Sequence, residues 1–195
     1  MKRRIEVTRL LHWLCLFAFL SPGLAGQART PRVSEEARDL KVFNNRVQEY
    51  VKMQKKLEAS LSTLKPTMDA AQIVEHQHAL ARRIADARRD ARQGDIFTHE
   101  VSEQFRKIIR KTFHGPEGRL ARKTIRQDDT PFLSFVLHVN DVYPEDIPLI
   151  TTPPTLLLKL PELPPELAYR IVGRDLTLKD IKASLIVDFI PNVIP

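Results

Sequence analysis

The sequence predicts an α+β fold: an N-terminal antiparallel helical hairpin plus a third helix, then a small antiparallel β-meander with a short Pro-bounded helix. Three observations carry this reading. Apolar residues recur at steps of three and four from Leu40 to Ala91, which is helical spacing. Ten of the fourteen prolines lie after residue 128, where long helices are excluded. The last third still holds alternating aliphatic runs such as "LIVDFI" at 185–190, which suit strands and a buried core.

Residues 1–28 precede that fold. Lys2, Arg3, Arg4 and Arg9 are followed by an apolar run from Leu10 to Leu20 and then by small residues. This is the layout of a secretory signal peptide, and the run is well short of the ~20 residues that span a bilayer. Cleavage after Ala25 or Ala28 would leave a chain starting at Gly26 or Arg29, exported to the periplasm or secreted, with no stable transmembrane segment. The single cysteine, Cys15, lies inside the leader. The exported chain would have no disulfide, thiolate metal site or cysteine nucleophile, so its fold rests on its core.

The first helix is expected on Leu40, Phe43, Val47, Tyr50, Gln54, Leu57, Leu61 and Leu64. The second runs on Ala70, Ile73, Gln77, Leu80, Ile84, Ala87 and Ala91. Pro66 reads as a helix stop and Thr67 as an N-cap, and a connection that short favours antiparallel neighbours with a coiled-coil seam. Folding the chain about residue 66 sets Leu57 opposite Ile73, Tyr50 opposite Leu80 and Val47 opposite Ile84. Gln54 then falls opposite Gln77, and a hydrogen-bonded glutamine layer would fix register. Gly94 reads as the stop of the second helix. Thr98 is expected to cap a third helix with Val101, Phe105, Ile108 and Ile109 as its apolar stripe.

Residues 114–130 read as a connection, with a short strand around 120–125. A strand is expected over 133–139, ended by Asn140–Asp141. In "TPPTLLLKLPELPP" a short helix is expected with Thr152 as cap and Pro161 as its end. Gly173-Arg174 has the Gly-X form of a type II′ hairpin turn. It pairs Val172 with Asp175, Ile171 with Leu176, Arg170 with Thr177 and Tyr169 with Leu178. Tyr169, Ile171, Leu176 and Leu178 then share a core face, and Arg170, Asp175 and Thr177 a solvated one. A third strand over 185–190 would put Leu185, Val187 and Phe189 on one side and Asp188 on the other.

Charge is divided along the chain. Residues 29–127 hold 22 basic against 13 acidic side chains, and residues 128–195 hold 5 against 10. In an exported chain a basic half points away from nucleic acid and toward an envelope protein or an anionic envelope surface, or toward the acidic half itself. Arg82, Arg83, Arg88, Arg89 and Arg92 are more cations than helix-dipole matching needs, and they are the candidate partner-binding residues. There is no phosphate loop, nucleophile elbow or HExxH motif, so no catalytic, cofactor or metal residue is assigned. His76 and His78 fall on different helix faces, while Glu75 and His78 could share one as half of a metal site.

"QGDIFTHEVSEQFRKII" at 93–109 and "VGRDLTLKDIKASLIVDFIPNVIP" at 172–195 resemble recurring elements of uncharacterised exported bacterial proteins. With the helical hairpin, the likeness covers most of the chain beyond the leader, and it implies no activity. The last meander is also similar to the C-terminal hairpin of small periplasmic proteins linked to nickel and cobalt efflux, although this chain lacks their dense histidines. The basic helical hairpin resembles Skp-like periplasmic chaperones, from which the proline-rich tail departs. The expected function is that of a non-enzymatic exported binding protein. The alternative is a small periplasmic hydrolase or metal-handling protein with a site assembled from scattered Asp and His.

Overall fold

The computed structural model describes residues 32–115, 136–143 and 152–194, with Gly118 and Arg122. The fold is α+β as expected. Helices α1 (Arg32–Ala59), α2 (Ala70–Ala87) and α3 (His99–His114) precede a one-turn α4 (Pro154–Leu157). Strands β1 (Leu167–Val172), β2 (Asp175–Asp180) and β3 (Leu185–Ile190) then form one antiparallel sheet in the order β1-β2-β3. The expected strands at 120–125 and 133–135 lie outside the described residues.

The helical hairpin exists, with different ends. α1 stops at Ala59, so Leu61 and Leu64 fall outside it. The amides of Ser60 and Leu61 bond back to Leu57 and Glu58 at 3.1 and 3.0 Å, tightening the last turn by three-residue steps. The connection is therefore a ten-residue loop, 60–69, and not a tight turn at Pro66. Asp69, not Thr67, caps α2, its Oδ1 accepting from the Ala71 amide at 2.9 Å. The Thr67 hydroxyl instead accepts from the Asp69 amide. α2 ends at Ala87, before Ala91 and Gly94. Gly94 has φ of +93° and belongs to a turn further on.

The inner seam follows the heptads over the middle of the pair, while Ala70, Ile73 and Ala87 of the expected second series are exposed. Phe43, Val47, Tyr50, Leu80 and Ile84 are buried, and Leu40 and Leu57 pack at the edge. The glutamine layer does not form. Gln54 is wholly buried with neither amide atom bonded, and Gln77 is half-exposed. α3 is as expected: the Thr98 hydroxyl accepts from the Val101 amide, and Val101, Phe105 and Ile109 are fully buried. Phe43, Phe97 and Phe105 stand with ring centroids 5.2–5.6 Å apart, and Tyr169 of β1 joins Phe105 at 6.0 Å. One apolar cluster thus contains helix and sheet residues together.

The hairpin has the expected register, Val172 to Asp175 through Tyr169 to Leu178, and Gly173 sits at φ +59°. Its core face is buried as expected. Its second face is only partly solvated: Arg170 and Asp175 stay part-exposed, Thr177 is buried against expectation, and Val172, the apolar exception on that face, packs with Leu137, Tyr143 and Ile186. That cover comes from residues 137–143, which form an isolated bridge from Val142 to Leu185 rather than a strand. Bonds from Asn140 N to Ile186 O, Ile186 N to Asp141 O and Tyr143 N to Ser184 O close the outer edge of β3 at 2.6–2.8 Å.

β3 departs from simple alternation. Leu178 faces Asp188 while Lys179 faces Ile186, so Val187 is the extra residue of a bulge. The bulge resets the phase. Asp188 shares the core face with Leu185, Val187 and Ile190, and Phe189 joins the opposite cluster. The expected positions of Asp188 and Phe189 are therefore exchanged. At α4, Pro153 takes the cap position in place of Thr152, whose hydroxyl donates to Tyr169 O at 3.1 Å.

Candidate functional site

Two buried carboxylates, Asp180 and Asp188, lie where α1, the 88–97 turn and the sheet meet. The bulge aims the Asp188 carboxylate at that turn. Oδ1 accepts from the Gly94 amide at 2.9 Å, and Oδ2 accepts from Ile96 and Phe97 at 2.8 Å each. The turn before α3 and the last strand are tied together here. Burial raises the Asp188 pKa, opposed by these same amide bonds.

A second group lies beside it. The Tyr50 hydroxyl donates to Asp180 Oδ2 at 2.8 Å, and Asp180 Oδ1 accepts from the Ala183 amide at 2.7 Å. Burial pushes the Tyr50 pKa well up, with the Asp180 charge adding to the shift, and burial raises Asp180 as well. The Arg88 guanidinium lies 5.1 Å from the Tyr50 ring centre. It donates to Asn140 Oδ1 at 2.9 Å and to Val187 O at 3.1 Å, and the Asn140 amide returns a bond to Arg88 O at 2.8 Å. Burial lowers the Arg88 pKa, and the nearby Tyr50 and Asp188 oppose that shift. These bonds join the helices to the sheet, and Tyr50 and Arg88 also border a hollow of about 440 Å³ with Glu49 and Asp95.

The five candidate arginines separate accordingly. Arg88 is half-buried, and its guanidinium bonds to Asn140 and Val187 within the fold. Arg82, Arg83, Arg89 and Arg92 are exposed. Arg83 donates to the Ser60 hydroxyl at 3.0 Å and Arg89 weakly to Asp86 O. Among the described residues none of the four forms an ion pair. Other cations of the basic half do reach across to acids: Lys55 meets Glu166 at 2.8 Å. Lys182 of the acidic half meets Glu58 of α1 at 2.6 Å.

Other hollows flank the helical hairpin. One of about 520 Å³ lies under the α1–α2 loop, between Glu58, Leu61, Leu64, Ile73 and His76. A smaller one of about 280 Å³ lies between α2 and Asn140–Val142, with His78 and Arg82 on its wall. His76 and His78 therefore open onto separate hollows. Among the described residues no three His, Cys, Asp or Glu side chains are grouped as metal ligands, and no helix is long and apolar enough to cross a membrane.

Comparison with protein-family models, with curated proteins and with solved structures finds no match. Sequence reasoning missed Tyr50, Asp180 and Asp188 as a polar joint. The signal was present in "LIVDFI", where one carboxylate interrupts an apolar strand and has apolar neighbours, Val187 and Phe189, on both sides. A lone buried acid of that kind needs donors from elsewhere in the chain.

Proposed function

We propose that this chain is an exported, non-enzymatic binding protein of the bacterial cell envelope, and that the basic side of α2 holds an acidic partner, an envelope protein or an anionic surface. The carrying observation is the contrast among the cations. Arg88 is half-buried and bonded within the fold, whereas Arg82, Arg83, Arg89 and Arg92 stay exposed without a carboxylate among the described residues. The basic–apolar–small layout of residues 1–28 supports the exported location. The alternative of a hydrolase or metal-handling protein has no geometry in its favour among the described residues. The buried Asp180 and Asp188 point at Tyr50 and at backbone amides.

The test is the salt dependence of association. The purified chain is expected to bind immobilised polyglutamate and anionic vesicles at low ionic strength, and to release them between about 50 and 300 mM salt, where exposed charges are screened. Replacing Arg82, Arg83 and Arg89 together by Glu should abolish capture while leaving the thermal melt in place. Equal capture by this variant, or capture indifferent to salt, would overturn the reading.

A further inference from the structure

We infer that the α1–α2 loop is a membrane-contact tip and that the acidic partner of the α2 face is an anionic lipid surface, an inference that rests on the preceding reading of that face. Large exposed apolar side chains gather at this end of the hairpin. Met68 is 99% exposed, Leu64 37% and Ile73 39%. A methionine standing wholly clear of the surface packs against nothing in its own chain, so it contributes nothing to the core. It suits a soft medium that closes around it.

The loop backbone sets the depth of contact. Residues 62–68 make no backbone–backbone hydrogen bond among the described residues. Such a segment cannot enter the hydrocarbon, where every bare amide is costly. It can sit among headgroups, which supply donors, acceptors and water.

Charge selects the lipid. Lys56 and Lys65 flank the tip, exposed and in no ion pair among the described residues. Arg83 bonds to Ser60 at the root of the loop, so the tip is continuous with the basic side of α2. Two or three shallow apolar side chains hold a membrane weakly, and cations beside them supply the second attraction that lasting attachment requires. Neither half is sufficient, which gives the inference its signature.

The experiment uses the purified chain with vesicles of phosphatidylglycerol and phosphatidylcholine, and with phosphatidylcholine alone. Co-sedimentation is expected only with the anionic vesicles. Leu64→Ser with Met68→Ser should weaken it about tenfold and leave polyglutamate binding unchanged. Met68→Trp in a Trp13→Phe background should give an indole emission that moves to the blue on anionic vesicles. Unchanged vesicle affinity in the double serine variant, or an unshifted emission, would overturn the tip. Salt-sensitive binding to polyglutamate without vesicle binding would refute the lipid inference and leave the basic-face reading standing. Failure to bind either would remove both.

Discussion

Gln54 is a primary amide sealed in the α1 seam with no donor or acceptor in reach. A buried amide without partners costs roughly 1–3 kcal/mol relative to an apolar group of similar shape. Gln54→Leu is therefore expected to stabilise the chain by about 1–2 kcal/mol in urea unfolding. A destabilised variant would mean that the amide is satisfied in solution, for instance by water. The heptad steps located Gln54 correctly on the inner seam. They could not show that it stays unpaired, because its expected partner depends on a tight turn at Pro66. The ten-residue loop breaks the simple opposition of positions across the pair, and Gln77 ends half-exposed beside the hollow under it. Arg88 differs from the other four arginines at the same scale, being half-buried where they are exposed. Charge alone marks a cation as exposed, and only the chain's return at Asn140 and Val187 supplies its buried acceptors.

Among the elements, the β1–β2 hairpin was the most legible. A Gly-X pair between two alternating runs fixes both turn type and register, and the observed pairs agree throughout. A Cβ added at Gly173 would meet nothing within 4 Å, so the demand there is purely on the backbone at φ +59°. Gly173→Val should cost about 1–3 kcal/mol through that conformation. Arg174→Ala, losing one part-buried bond to Ile194 O, should cost about 0.5 kcal/mol. Paired thermal melts check this, and a Gly173→Val protein as stable as the parent would contradict the turn assignment. β3 was less legible because a bulge is an extra residue, which periodicity cannot detect. Once Val187 is set aside, "LIVDFI" reads correctly, with Asp188 and Ile190 inward. The outer face is only partly solvated for a different reason. Residues 137–143 cover it through backbone bonds to β3, and nothing in the hairpin's own sequence announces that cover.

For the molecule as a whole, Asp188 joins parts that sequence spacing treats as separate. Asp188→Ala removes the side-chain acceptor of four amides, those of Gly94, Ile96, Phe97 and Phe189, and should lower stability by about 3 kcal/mol, read in urea unfolding. The acid side of the profile has two opposed parts. Burial raises the folded pKa of Asp180 and Asp188 above the ordinary 3.8. The native state then keeps protons that the unfolded chain has released, so stability falls as pH rises from about 3.8 through the folded values. Glu166 is lowered from 4.5, chiefly by its hydrogen bond to Lys55. Its contribution is present above 4.5 and is lost as pH falls below it. Asp188→Asn should flatten the decline above pH 4 and leave the Glu166 limb intact. An unaltered pH profile in that variant would show that Asp188 is already ionised throughout.

The Asp188 joint also orders events in time. The amides of residues 94–97 emerge long before the carboxylate that caps them, because some ninety residues separate donor from acceptor. The aromatic cluster around Phe105 waits likewise for Tyr169. A nascent chain that has produced only its helices has an open core and a turn with bare amides. Closure comes late, when β3 arrives and zips residues 140–143 along its edge. Contacts of such long sequence separation slow folding. A chain that stays open until its last strands are delivered remains threadable through a narrow channel for the whole of its synthesis.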